Sequence, residues 1–217
     1  VENESYQPMP EGDEFDIENI CTGNPNSVTQ LISFLPLPYA NGGIESIVID
    51  WGISIDTYTP PVDPFFEIES PAYTGFGYYN ITIDLIGENG CVTSIVDSLF
   101  IGNNPQIGTA NPGNTDGICS PFTLEFPITN FDSNDNSTTY VVDFGDNTPS
   151  VTFPHPPPFF VSHDYYNSSC GSTTPEGNLN AFRFKVEATN DCGTSTTTVD
   201  PVRIHSAPEP VITGEDT

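Results

Sequence analysis

The 217-residue sequence predicts an all-β fold of two tandem, immunoglobulin-like antiparallel β-sandwiches, and three observations lead there. The chain repeats itself: Ile47-Val48-Ile49-Asp50-Trp51-Gly52 is answered by Tyr140-Val141-Val142-Asp143-Phe144-Gly145, with other landmarks in the same order around each copy. Strand-like runs are short and frequent, and some alternate cleanly. No window shows the apolar spacing of an amphipathic helix, and 22 prolines and 18 glycines would interrupt one.

Each copy opens on an Ile-Cys pair, Ile20-Cys21 and Ile118-Cys119. Each then carries a tyrosine (Tyr73, Tyr165), an alternating strand and an Asn-x-Cys turn (Asn89-Gly90-Cys91, Asn190-Asp191-Cys192). Each closes on an isoleucine with a proline four residues later, Ile101/Pro105 and Ile204/Pro208. The expected divisions are a leader over 1–18, a sandwich over 19–105, a linker over 106–116, a second sandwich over 117–208 and a lead-out over 209–217. The linker expectation rests on Pro112, Gly108 and Gly113 in a stretch with little to pack. The chain reads as a segment of a longer protein.

In the first copy the strand signals fall at 28–34, 44–51, 65–68, 79–86 and 95–101. In the second they fall at 122–126, 139–144, 151–153, 159–161, 182–188 and 197–204. Tyr79, Ile81, Ile83 and Leu85 alternate with Asn80, Thr82 and Asp84; Phe182, Phe184, Val186 and Ala188 alternate with Arg183, Lys185 and Glu187. A period of two puts each apolar set on one face, toward a core.

Thirty acidic residues stand against three basic ones, a net charge of −27. Nucleic acid is excluded as a partner, because binding it requires Lys and Arg to neutralise phosphates. Membrane insertion is not expected either, as no run reaches the length of a spanning helix. The basic residues Arg183, Lys185 and Arg203 all lie in the second copy, so trypsin-like proteases have no site before Arg183. The charge suits a solvated molecule held at high local density outside a cell.

Cys21 and Cys91, and Cys119 and Cys192, recur at equivalent places about 70 residues apart, which implies one disulfide per sandwich and an oxidising location. Each would stabilise its module by roughly 4 kcal/mol. In an immunoglobulin-like unit whose first strand starts beside the final hairpin, these cysteines would lie together, and Cys170 at the far end. Cys170 has no counterpart in the first copy. Its open roles are a free thiol, a bond to a neighbouring module, or replacement of a partner in the second pair.

At Val142-Asp143-Phe144-Gly145-Asp146-Asn147, then Val161-Ser162-His163-Asp164-Tyr165, then 182–190, the chain resembles the PKD (polycystic kidney disease) domain family. That family carries a Trp-Asp-Phe-Gly-Asp-Gly turn followed by His-x-Tyr. The first copy keeps Asp50, Trp51 and Gly52 but has Ile53-Ser54 and Pro71-Ala72-Tyr73 where the family has Asp-Gly and His-x-Tyr. Acidic, cysteine-flanked arrays of this style resemble those in large secreted proteins of Bacteroidota, including gliding-motility adhesins exported by the type IX system. The resemblance implies non-catalytic modules of a cell-surface or secreted protein, with neighbouring modules, and a polysaccharide or other surface ligand, as partners. The alternative is an accessory substrate-binding region of a secreted hydrolase.

Enzymatic chemistry is not expected. Asp143 to Asp146 read as turn formers rather than catalytic carboxylates, and there is no nucleophile elbow or phosphate loop. His155, His163 and His205 are too scattered for zinc. No cofactor is expected except calcium, for which Asp132, Asn134 and Asn136 offer oxygens at alternate positions without the Gly and Glu of an EF-hand. Tyr58, Phe65, Phe66, Tyr78, Phe159, Phe160 and Tyr166 are aromatic beyond the needs of small cores, available for packing or for stacking on sugars.

Overall fold

The structure, a computed structural model, describes residues 17–21, 29, 31–34, 43–59 and 66–207. The first sixteen residues of the expected leader and the expected lead-out lie outside them, as does Phe65. The chain divides into two compact units between Asn103 and Asn104. Each is an all-β sandwich, and no helix occurs among the described residues.

In the first module β1 (Ile20–Cys21), β3 (Ile44–Asp50), β4 (Ile55–Tyr58), β6 (Gly77–Gly87) and β7 (Val92–Gly102) form one sheet in the order β1-β7-β6-β3-β4. The facing sheet pairs β2 (Leu31–Phe34) with β5 (Phe66–Glu69). The core between them holds Ile32, Ile47, Ile49, Trp51, Ile68, Tyr73, Ile81, Ile83, Leu85, Leu99 and Ile101. The period-two face of β6 is therefore buried as the alternation requires, with Tyr79 half-buried against the same core.

The second module places β12 (Val151–Pro154), β11 (Thr139–Asp143), β14 (Phe182–Asn190) and β15 (Gly193–Val202) in one sheet. The other orders β13 (Phe160–Tyr165), β10 (Phe122–Thr129) and β8 (Gly108–Thr109). A parallel pair, β9 (Ile118–Cys119) with β16 (Ile204–His205), closes one end. Phe182, Phe184, Val186 and Ala188 all point into the core. There Phe184 stacks on Phe126 of the opposite sheet, ring centroids 3.8 Å apart and planes 3° apart, which locks the two sheets face to face.

The expected linker over 106–116 is corrected: these residues belong to the second sandwich. Gly108 and Thr109 pair with Thr129 and Ile128 of β10, Ile107 packs on the core, and the backbone of Gln106 is held on both sides by the Asn134 amide. A short first strand needs few apolar side chains when backbone pairing and one isoleucine hold it.

The Asp-aromatic-Gly turns bring the chain very close to its neighbour strand. Gly145 has φ +78°, and a Cβ there would lie 2.5 Å from the Arg183 carbonyl oxygen. Gly52 has φ +75°, with a Cβ 3.0 Å from the Asn80 carbonyl oxygen. We predict that Gly145→Ala destabilises the second module by about 3 kcal/mol and Gly52→Ala the first by less, about 1–2 kcal/mol. Urea unfolding followed by tyrosine and tryptophan fluorescence checks both.

Candidate functional site

The positions singled out by the repeat converge in each module on one structural knot. In the second, Asp143 Oδ1 accepts the Gly145 N–H at 2.8 Å, so the turn begins with a carboxylate clasping its own backbone. Phe144 goes into the core, and its carbonyl accepts the buried Tyr165 hydroxyl at 3.1 Å from the opposite sheet. Asp146 Oδ1 takes the Thr148 N–H at 3.1 Å and its hydroxyl at 2.6 Å. The other oxygen of Asp146 lies 2.8 Å from His163 Nε2. The His163 ring in turn stacks on Phe144, centroids 3.9 Å apart and planes 7° apart, and meets Tyr165 edge-on.

The first module keeps the frame and changes the fittings. Asp50 Oδ1 accepts the Gly52 N–H at 2.9 Å, and the Tyr73 hydroxyl donates to the Trp51 carbonyl at 3.0 Å. Without the second Asp and the His, the turn closes through Trp51 N–H to the Ser54 carbonyl at 2.9 Å. The indole Nε1–H reaches Asp56 at 3.1 Å.

The electrostatics of the knot brace the turn. Burial alone would raise the Asp146 pKa, but hydrogen bonds from Thr148 and His163 outweigh it and hold the carboxyl below its ordinary value. It is therefore ionised and an acceptor, so His163 Nε2–H is the donor. Burial, with the neighbouring Tyr79, pushes Tyr73 up to about 12. Burial and the charges of Asp146 and Asp143 also push Tyr165 upward. Both hydroxyls stay protonated and able to donate. The Asp146 carboxylate and the His163 imidazole, both half-buried, are engaged with each other and, through Thr148 and the Phe144 ring, with the turn itself.

The residues considered for calcium do different work. Asn134 is buried; its oxygen accepts the Gln106 N–H at 2.7 Å, and its amide donates to the Gln106 carbonyl and the Tyr140 hydroxyl, each at 2.7 Å. Asp132 and Asn136 are exposed. The residue between them that matters is Asp135, also buried, which accepts from Ser137 and, at 2.7 Å, from the Asn190 amide. It ties this loop to the end of β14, which the alternate-oxygen pattern did not signal. The Tyr140 hydroxyl accepts from Asn134 and also shares a hydrogen bond with His155 Nδ1 at 2.9 Å. Among the described residues no group of three or more His, Cys, Asp or Glu is placed to hold a metal ion.

The expected disulfides are corrected. Cys91, Cys119 and Cys170 are free thiols, while Cys21 and Cys192 are disulfide-bonded, so neither Cys21 with Cys91 nor Cys119 with Cys192 is joined. The first strand starts beside the wrong end of the last one. Cys21 is in register with Gly102, the final residue of β7, whereas Cys91 immediately precedes β7. Eleven residues of extended strand separate them, roughly 30 Å or more against the 7 Å a disulfide tolerates between Cα atoms. The second module repeats this, with Cys119 beside His205 and Cys192 in the turn before β15.

Cys170 is exposed, in a loop held to the end of the module: Ser169 N–H donates to the Ile204 carbonyl at 2.8 Å, and its hydroxyl accepts from Ile204 N–H at 3.0 Å. This puts it at the same end as Cys119, since Ile204 is also in register with Ile118.

Of the aromatic residues, Tyr58 packs on the first core. Tyr78, Phe159, Phe160 and Tyr166 are exposed, Tyr78 lying beside Phe100 and Phe159 beside Phe131. The three basic residues are paired with carboxylates, Arg183 with Glu176, Lys185 with Glu187 and Arg203 with Asp116.

No protein-family model matches the sequence, and no curated protein matches it. Solved structures resemble the fold. The fibronectin(III)-like modules of Clostridium thermocellum CbhA align over 94% of this chain and 98% of theirs, at 11% identity and TM-score 0.40. Murine CEACAM1b aligns over 87% of this chain and 96% of its own, at 12% identity and TM-score 0.43. An adhesin described as Ca2+-stabilized and helping an Antarctic bacterium bind ice aligns over 84% of this chain and 45% of its own, at 12% identity and TM-score 0.29. At such identities the likeness concerns the fold alone.

The pH dependence follows from these shifts. Asp146, with its folded pKa lowered, contributes stability that is complete above the ordinary carboxylate range and lost as pH falls through the folded value, so the second module weakens below about pH 4. Tyr73, with its pKa raised, contributes stability that is complete below the ordinary phenol value and lost as pH rises toward about 12. Melting temperatures measured from pH 2 to 12 are expected to form a plateau between these limits, and Asp146→Asn to flatten the acid limb. His163→Ala is expected to cost about 2 kcal/mol by calorimetry, through the lost ring stack and hydrogen bond.

Proposed function

We propose that these are non-catalytic structural modules of a secreted or surface-displayed protein, acting as a spacer that carries a binding end away from a cell surface. One observation carries the reading: the side chains that recur between the modules, Asp50/Asp143, Gly52/Gly145 and Tyr73/Tyr165, are consumed by hydrogen bonds and turns internal to each module. A repeated element that faces inward maintains a shape; it does not recognise a ligand. The resemblance of the turns to PKD domains supports the same reading, as does the acidic surface, which keeps neighbouring chains apart. Among the described residues, no helix is long and apolar enough to cross a membrane. An adhesin or stalk of the gliding type found in Bacteroidota is the particular form proposed.

The alternative, modules that present polysaccharide or protein to a hydrolase, draws on the exposed Phe159, Phe160 and Tyr166. A panel of immobilised glycans and matrix proteins separates the two. The spacer reading expects no saturable binding by the purified chain at physiological salt. Saturable binding lost on Phe159→Ala, Phe160→Ala or Tyr166→Ala would favour the alternative.

A further inference from the structure

The cysteines fall into two kinds, each with its own local structure. The Ile-Cys kind, Cys21 and Cys119, sits in a two-residue parallel pairing with the end of the module's last strand. Ile20 and Cys21 are in register with Ile101 and Gly102, and Ile118 and Cys119 with Ile204 and His205. In both, the isoleucine turns toward the core while the cysteine is exposed. The Asn-x-Cys kind, Cys91 and Cys192, sits in the turn before that strand. Asn89 Oδ1 accepts the Cys91 N–H at 3.0 Å and Asn190 Oδ1 the Cys192 N–H at 2.9 Å, and both cysteines are half-buried.

No module can close its own pair: β7 holds the two kinds at opposite ends in the first, and in the second Cys192 precedes β15 while Cys119 pairs with β16 beyond its far end. Yet the structure oxidises one cysteine of each kind, Cys21 and Cys192. It leaves free one of each kind, Cys119 and Cys91. The free residues match the oxidised ones in backbone pairing, in the Asx turn and in exposure. What is competent for a disulfide in one repeat is presented in the same way by the other, without a partner.

We propose that Cys119 of one copy of this two-module repeat forms a disulfide with Cys91 of another, so that oxidation couples copies end to end. The reaction is thiol–disulfide exchange with a small-molecule disulfide such as oxidised glutathione. One S–S bond forms between the two Sγ atoms, the S–S bond of the oxidant breaks, and two electrons and two protons pass to it, giving two small thiols. Cys170, which lacks a counterpart in the first module, takes no part. The coupling is independent of what, if anything, the modules bind.

The test uses the full chain in a reduced/oxidised glutathione buffer, read by non-reducing electrophoresis. In a Cys170→Ser background, Cys91→Ser leaves only Cys119 free and Cys119→Ser leaves only Cys91. Each variant alone is expected to stay monomeric, and their mixture to give a dimer that dithiothreitol dissolves. Mass spectrometry of a chymotryptic digest should find Cys91 linked to Cys119. The Cys170→Ser chain itself should form a ladder of oligomers. A mixture that gives no dimer, or a single variant that dimerises as well as the mixture, would overturn the proposal.

Discussion

One buried hydrogen bond sets the geometry on which each module depends: a tyrosine hydroxyl donating to the carbonyl of the aromatic residue in the Asp-aromatic-Gly turn. Tyr73 does this for Trp51 and Tyr165 for Phe144. The glycine that follows takes a positive φ and lets the turn pass close to β6 or β14. That same turn swings the aromatic side chain into the core and points its carbonyl inward, where water cannot satisfy it. The tyrosine supplies the missing donor, and a phenol pushed to higher pKa by burial does not lose that proton.

The charge balance decides how the rest of the polar structure is built. With 30 acidic residues and three basic ones, carboxylates cannot rely on Lys or Arg. They are instead satisfied by neutral donors: Asp50 and Asp143 by glycine N–H groups, Asp56 by the Trp51 indole, Asp135 by Ser137 and Asn190, and Asp200 by Thr174 and Asn178. The three pairs made by Lys and Arg lie toward the surface, where such pairs contribute little. The sandwiches are therefore held by apolar packing and by Asx turns.

The strands with a clear period of two, β6 and β14, were legible residue by residue, because alternation directly encodes which face is buried. The sheet positions of β1, β8, β9 and β16 were not, since two residues carry no period and their pairing is decided by the backbone of a distant strand. The linker and the cysteine placements turn on these short pairings. Residues 106–116 look like a linker by composition, yet Ile107 and two residues of backbone pairing suffice to fold them in. The cysteine repeat suggests one disulfide per module, yet Cys91 and Cys119 are free, because the register of Cys21 against Gly102 cannot be inferred from spacing. At the knot, the roles of Asp143 and Gly145 were legible as turn chemistry. The stacking of His163 on Phe144, and Asp135 as a tie to Asn190, depend on tertiary placement that no local motif encodes.

The most direct test of the inward-facing knot is the stability of Tyr73→Phe and Tyr165→Phe, each unfolded in urea with module-specific signals. Each substitution deletes one hydroxyl and leaves a buried carbonyl unpaired, so each should lower the stability of its own module by about 1–3 kcal/mol with the denaturant slope unchanged. A neutral result for either tyrosine would contradict the account, because the hydrogen bond said to fix the turn would then be dispensable.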